Sequence, residues 1–123
     1  MTAQALQDAP FRLSSAPTPV ELVAKYFRVL GDPTRLRILE LVEDQELSVG
    51  EIVGRVGLAQ SHVSNHLACL RWCGFVETRR EHRTVFYRVA DERVARVIAM
   101  ARGLLENNAE HVAACRRIEE AGC

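Results

Sequence analysis

The stretch from Gly57 to Gly74, GLAQSHVSNHLACLRWCG, constrains this chain more than any other. Val63, Leu67 and Leu70 recur at i, i+4 and i+7, so they line one face of a helix. At about 100° per residue, Ser61, Ser64, Asn65 and Ala68 fall on a second face of small and hydrogen-bonding side chains. His62, His66, Cys69 and Cys73 fall on a third stripe, within about 60° of one another. One helix thus has a face for the core, a face for a polar partner and a stripe of soft-metal ligands. Such a helix reads DNA and carries a metal site on its flank.

A chain of 123 residues and 13.8 kDa suits one domain with loose ends. A hydrophobic share of 48% is that of a folded protein rather than a disordered one. No apolar run is long enough for a bilayer, and no basic-then-apolar leader opens the chain. The expected compartment is therefore the cytoplasm, where thiols stay reduced, with no membrane partner. The four cysteines then fit free, metal-binding or redox roles better than a disulfide framework. Net charge is zero, but six arginines and two glutamates between Arg55 and Arg88 leave that segment at +4. Acids gather instead at Glu40, Glu43, Asp44, Glu46 and Glu51. One face can thus meet phosphates. No nucleophile–base pair, phosphate loop or paired carboxylates stand out, so neither an enzyme nor an organic small-molecule substrate is expected.

Residues 1–18, with Pro10 and Pro17, read as a flexible arm. Thr18 and Pro19 start a helix with Val20, Val23, Phe27 and Leu30 on one side, and Gly31 stops it. Asp32 and Pro33 start a second, whose Leu36, Ile38, Leu39, Leu41 and Val42 make it apolar on more than one side. Ser48 and Glu51 form a capping box for a short third helix that ends at Gly57. With the helix that follows, this makes a helix-turn-helix. Phe75–Thr78 and Thr84–Val89 have strand character, and Arg79 to Arg83 form a charged hairpin tip, a wing. Asp91 caps a long last helix whose stripe of Val94, Val97, Ile98, Ala101, Leu104 and Leu105 suits a dimer interface or its own core. Asn107-Asn108 interrupts it, and residues 108–123 form a tail. The expected class is α+β, mainly α with a small β-hairpin: a homodimeric winged helix-turn-helix spanning residues 19–107.

The segments LGDPTRLRIL (Leu30 to Leu39), LAQSHVSNHLACLRWCGFV (Leu58 to Val76) and REHRTVFYRV (Arg80 to Val89) resemble the ArsR/SmtB family of bacterial metal-sensing repressors. The resemblance runs from about Val20 to Leu105. It implies a winged-helix homodimer, joined through its first and last helices, that binds an operator and leaves it when metal binds. Cysteines that some members carry before the recognition helix are absent from Glu46-Leu47-Ser48-Val49-Gly50. The Asp and His ligands that others place along the last helix are also missing, since Arg93, Leu104 and Asn107 stand there beside Asp91. The run Ser64-Asn65-His66-Leu67-Ala68-Cys69-Leu70-Arg71-Trp72-Cys73-Gly74 resembles the CmtR-like cadmium/lead type. In that type a further cysteine comes from the tail of the other subunit, and Cys115 is the candidate.

Cys69 and Cys73 are neighbours at i and i+4, and a third sulfur from Cys115 would give a trigonal thiolate site. Soft sulfur favours cadmium, lead, mercury or arsenite as the inducing ion, and zinc would want a fourth ligand such as His66 or Cys123. Against this, a buried cysteine also serves as a small hydrophobe, and His66 suits packing or a hydrogen bond. Trp72, on the exposed side, suits packing against the tail or a partner subunit. For double-stranded operator DNA the candidate contacts are Gln60, Ser61, His62, Ser64 and Asn65 in the major groove, with Arg79, Arg80 and Arg83 on the wing. His62 equally suits the surface. His82 stands where a wing turn often has Gly and tolerates the left-handed conformation. A thiol redox sensor and a protein-interaction winged helix are the competing readings.

Overall fold

The computed structural model describes residues 16–119, in which the chain falls into two units, Met1–Asp32 and Pro33–Cys123. Of the expected arm, residues 1–15 lie outside the described residues, as do residues 120–123 of the tail, Cys123 among them.

The first unit contributes α1, Pro19–Leu30. Thr18 caps it as expected, and Glu21 completes a capping box. The Thr18 hydroxyl accepts from the Glu21 N–H at 3.3 Å, and the Glu21 carboxylate accepts from the Thr18 N–H at 3.0 Å. Those hydrogen bonds from Thr18 hold the Glu21 carboxyl below its ordinary value. Of the expected apolar side only Leu30 is buried, while Val20, Val23 and Phe27 are exposed.

The second unit holds α2 (Pro33–Val42), β1 (Leu47–Ser48), α3 (Val49–Val56), α4 (Gln60–Trp72), β2 (Val76–Glu81), β3 (Thr84–Val89), α5 (Glu92–Ala114) and α6 (Arg116–Glu119). Its core is aliphatic: Ile38, Leu39 and Val42 of α2 meet Ile52 and Val56 of α3, Val63, Leu67 and Leu70 of α4, and Val94 and Ile98 of α5. Leu47, Phe75 and Val76 close it from the sheet side. The Arg37 guanidinium donates to the Arg55 carbonyl at 2.8 Å, placing a cation on the last turn of α3. An ion pair between Arg102 and Glu40 ties α5 to α2.

Both ends of the helix-turn-helix depend on a glycine. Ser48 and Glu51 make the foreseen capping box at the start of α3. Gly57 closes that helix at φ +76°, its N–H bonded to the Val53 carbonyl at 2.9 Å. At the end of α4 the Phe75 N–H reaches the Leu70 carbonyl at 2.9 Å and the Gly74 N–H reaches that of Arg71 at 3.1 Å. With Gly74 at φ +80° this is a Schellman motif, sealed by the burial of Leu70 and Phe75.

The sheet is antiparallel in the order β1-β3-β2. It departs from the sequence reading in two ways. Leu47–Ser48 is a strand, pairing with Tyr87 and Phe86 of β3, which was not expected because two residues have no periodicity to detect. The first hairpin strand also starts one residue later, at Val76, and runs on to Glu81. Arg79 and Arg80 are therefore strand residues opposite Phe86 and Val85, and only His82 and Arg83 form the tip. His82 is left-handed at φ +56° and Arg83 is not, the pattern of a type II′ turn. A helix-turn-helix followed by this hairpin is the winged helix the sequence implied. α5 is kinked at Asn108 (φ −132°, ψ 16°), where the interruption was expected.

Asp91 caps α5 by accepting from the Arg93 N–H at 2.9 Å, and its side-chain and backbone bonds with Arg93 lower its carboxyl from 3.8 to about 2. Folding thus favours the charged form, and the stability it lends is present above pH 3.8 and lost as pH falls toward about 2. Asp91→Asn keeps a capping oxygen but removes the charge. In thermal melts the wild type should exceed this variant near neutral pH, and the gap should close over that acid range. Gly57→Ala should lower the unfolding free energy in urea by about 1–2 kcal/mol, from the left-handed backbone alone. A Cβ there meets no atom within 4 Å.

Candidate DNA-reading face and thiol stripe

The orientation of α4 follows from what it buries. Val63 and Leu70 are 0% exposed and Leu67 is 1% exposed, so the expected core face is fully sealed. Gln60, Ser61, His62, Asn65 and Ala68 are consequently exposed, and Ser64 is half-buried. The structure thus brings the five candidate groove residues to one end and one side of α4. Ala59 offers no side-chain cap, which leaves the first-turn amides without that partner. Lacking a cap costs about 1 kcal/mol, whereas burying each of the three aliphatic side chains contributes about 1.5–3 kcal/mol, so packing rather than capping holds this helix.

The third stripe is also real. The His62 and His66 rings stack with centroids 4.9 Å apart and planes at 28°. Arg35 of α2 donates from Nε to His66 Nδ1 at 3.2 Å, so that nitrogen holds a lone pair and its ring proton sits on Nε2. His66 is thereby a hydrogen-bonded packing residue, one of the two roles weighed for it. Cys69 is half-buried and Cys73 exposed, a helical turn apart, with no disulfide between them. Cys73 is the C-cap residue of α4, its N–H bonded to the Cys69 carbonyl at 3.0 Å. Trp72 beside it is 71% exposed. Cys115, half-buried, follows the end of α5. Among the described residues no three His, Cys, Asp or Glu side chains gather to hold a metal ion within one chain. The pair of thiols fits a thiophilic ion by its donor chemistry, as part of a site that needs a further donor.

On the wing the three arginines differ. Arg79 donates from Nε to both oxygens of Glu46 at 3.1 Å and from Nη1 to Glu81 at 2.9 Å. Its guanidinium also lies 4.9 Å from the centre of the Phe86 ring. Hydrogen bonds to Glu46 and then Glu81 push the Arg79 guanidinium up, and the same bond holds Glu46 below the usual carboxylate range. Arg88 pairs with Glu77 at 2.6 Å. Arg80 and Arg83 are exposed and make no ion pair among the described residues. Counting charges along the chain hid this, because Glu46 lies 33 positions from Arg79. The only sequence signal was the acid standing just ahead of Leu47.

Residues 32–78 match the model of a family described as bacterial regulatory protein, arsR family. The chain is similar to a probable mercury resistance operon repressor of Streptomyces lividans: 40% identical over 105 residues, 85% of this chain and 84% of that protein. It is also similar to the HTH-type transcriptional regulator CmtR of Mycobacterium tuberculosis, at 45% identity over 76 residues, 62% of this chain and 64% of the relative. A solved structure, the homodimeric winged helix-turn-helix DNA-binding domain of Mb0332 from Mycobacterium bovis, is 31% identical with a TM-score of 0.67. That match covers 81% of this chain and 95% of the other, which is described as a possible ArsR-family transcriptional regulator. These relatives are regulators, in line with a chain that is not an enzyme. The family match includes Cys69, Cys73 and the exposed side of α4, and stops short of Cys115.

Exposure orders the thiols. With a limiting alkylating reagent, Cys73 should be modified before Cys69 in the folded protein, and the two should react alike in denaturant. Peptide mapping of the labelled chain checks this.

Proposed function

This chain belongs to the arsR family of bacterial regulatory proteins, and we propose that it is a metal-responsive transcriptional repressor that holds its operator as a homodimer. The observation that carries the reading is the division of α4. One face is sealed in the core, the opposite face offers Gln60, Ser61, His62, Ser64 and Asn65, and the flank between bears two thiols a turn apart. Residues 19–107 act as the DNA-binding and dimerisation domain in this reading, with 1–18 an arm and 108–123 a tail, and the chain works in the cytoplasm. Among the described residues no helix is long and apolar enough to cross a membrane.

In the dimer two copies of α4 enter successive major grooves about 34 Å apart. Amide and hydroxyl groups of Gln60, Ser61, Ser64 and Asn65 bond to base edges and phosphates, His62 lies alongside, and Arg80 and Arg83 meet the backbone. The exposed apolar residues of α1 and α5 are covered by the second copy. Cys69 and Cys73 would hold a thiophilic ion — cadmium, lead, mercury or arsenite — with Cys115 of the second copy as third donor. When bound, such an ion supplies a cross-link between the flank of α4 and the other subunit's tail. Cys69 and Cys73 then sit in a dimer whose two α4 helices no longer match the groove spacing. The coupling required is about 1–3 kcal/mol, and by reciprocity operator DNA weakens metal binding by the same factor. Since the thiols must lose protons to bind metal, metal affinity falls as pH drops.

Operator release by each ion is the test. The wild type should release DNA with at least one of the four, and Cys69→Ser or Cys73→Ser should abolish release while leaving metal-free operator binding intact. Cys115→Ser should weaken release, and mixing it with Cys69→Ser protomers should restore part of it if the tail acts across the dimer. Unaltered release by both Cys69→Ser and Cys73→Ser would refute the thiol site. Release by peroxide without any metal response would instead assign these thiols to redox sensing.

A further inference from the structure

Arg79 looks, along the chain, like one of three equivalent wing cations. The structure distinguishes it. Its Nε is bonded to both Glu46 oxygens, its Nη1 to Glu81, and its face lies over Phe86. Glu46 immediately precedes β1, whose Leu47 is buried and pairs with Tyr87. The next residue, Ser48, pairs with Phe86 and caps α3. Phe86 in turn pairs with Arg79. A row Ser48–Phe86–Arg79 therefore crosses the three strands, and the Arg79–Glu46 contact spans it from the outer strand to the entrance of the helix-turn-helix.

A cation gripped by two carboxylates is a poor phosphate ligand. To reach DNA it would have to abandon both, and the pair of acids leaves the local charge negative beside the phosphate. Uncompensated cations are the ones that release counterions from DNA when they bind. Arg80 and Arg83 meet that description and Arg79 does not.

We propose that Arg79 is a positioning residue, clamping the wing to the segment that enters α3 through Glu46 and Phe86 and leaving phosphate contact to Arg80 and Arg83. The clamp fixes the angle between the wing and α4, so the tip and the groove residues meet one duplex together. Its effect on DNA rests on the repressor reading above, whereas its effect on the wing itself does not.

Two measurements on the full chain decide it. The first is amide hydrogen exchange in the DNA-free protein over β1 and β3. Arg79→Gln and Glu46→Gln should each speed exchange at Leu47 and Phe86 by the same factor, and the double variant should add nothing. The second is the salt dependence of operator affinity. Arg80→Gln and Arg83→Gln should each reduce the slope of log affinity against log salt by about 1. Arg79→Gln should weaken binding several-fold with the slope unchanged, and Glu46→Gln should do the same although it removes a negative charge. Arg79→Lys, which keeps the charge but loses the fork and the ring contact, should behave like Arg79→Gln. A slope reduced by about 1 in Arg79→Gln and restored in Arg79→Lys would overturn the proposal. So would unchanged exchange in both clamp variants. If the wild type shows no salt-dependent operator binding, the repressor reading fails, and the exchange measurement alone upholds or overturns the clamp.

Discussion

Val63, Leu67 and Leu70 are sealed against α2 and α3, and the remaining surface of α4 takes its direction from that burial. A helix with one stripe fixed in a close-packed aliphatic core cannot rotate, because any turn would bring polar groups inward and leave a void behind. The groove candidates and the thiol stripe are therefore held at set angles to the core. Their exposure follows from the pattern rather than from any interaction of their own. The missing side-chain cap at Ala59 is tolerated for the same reason: the energy that orients this helix lies in its packed face.

Turns then set where that helix begins and ends. Gly57 in the left-handed region lets α3 stop and α4 start within three residues, which makes the motif compact. The Schellman closure at Gly74 ends α4 one residue after Cys73 and sends Phe75 into the core. Cys73 is thus an exposed thiol at a rigid helix terminus, one turn from half-buried Cys69. Two sulfur donors mounted on one rigid helix lose little freedom on taking a ligand. They also need a donor from elsewhere, since no third ligating side chain joins them among the described residues of one chain.

Charge organises the wing differently from its composition. Six arginines in the segment from Arg55 to Arg88 suggest a uniformly basic surface. In the fold Arg79 and Arg88 are matched by Glu46, Glu81 and Glu77, and Arg55 lends its carbonyl to Arg37. The positive charge left for a polyanion is concentrated at Arg80 and at the tip, Arg83. Exposed ion pairs of this sort add little to stability, yet they set which cations stay available and how a hairpin sits on its neighbour.

The sequence by itself determined the helices, their caps, the three faces of α4 and the break at Asn108, since each follows from residues within a few positions of one another. Periodicity of 3.6, capping boxes and glycines at helix ends are local signals, and local sterics decide them. It did not determine that Leu47–Ser48 would pair with β3, that β2 would run on to Glu81, that Arg35 would bond His66, or that Glu46 would hold Arg79. Those contacts join residues 31 or more positions apart. Nothing local to either partner encodes the meeting; it exists only once the aliphatic core has brought α2, α4 and the hairpin together. The chain thus wrote down which groups it would present. Packing alone decided which of them would be taken up by one another and which would be left to face a partner.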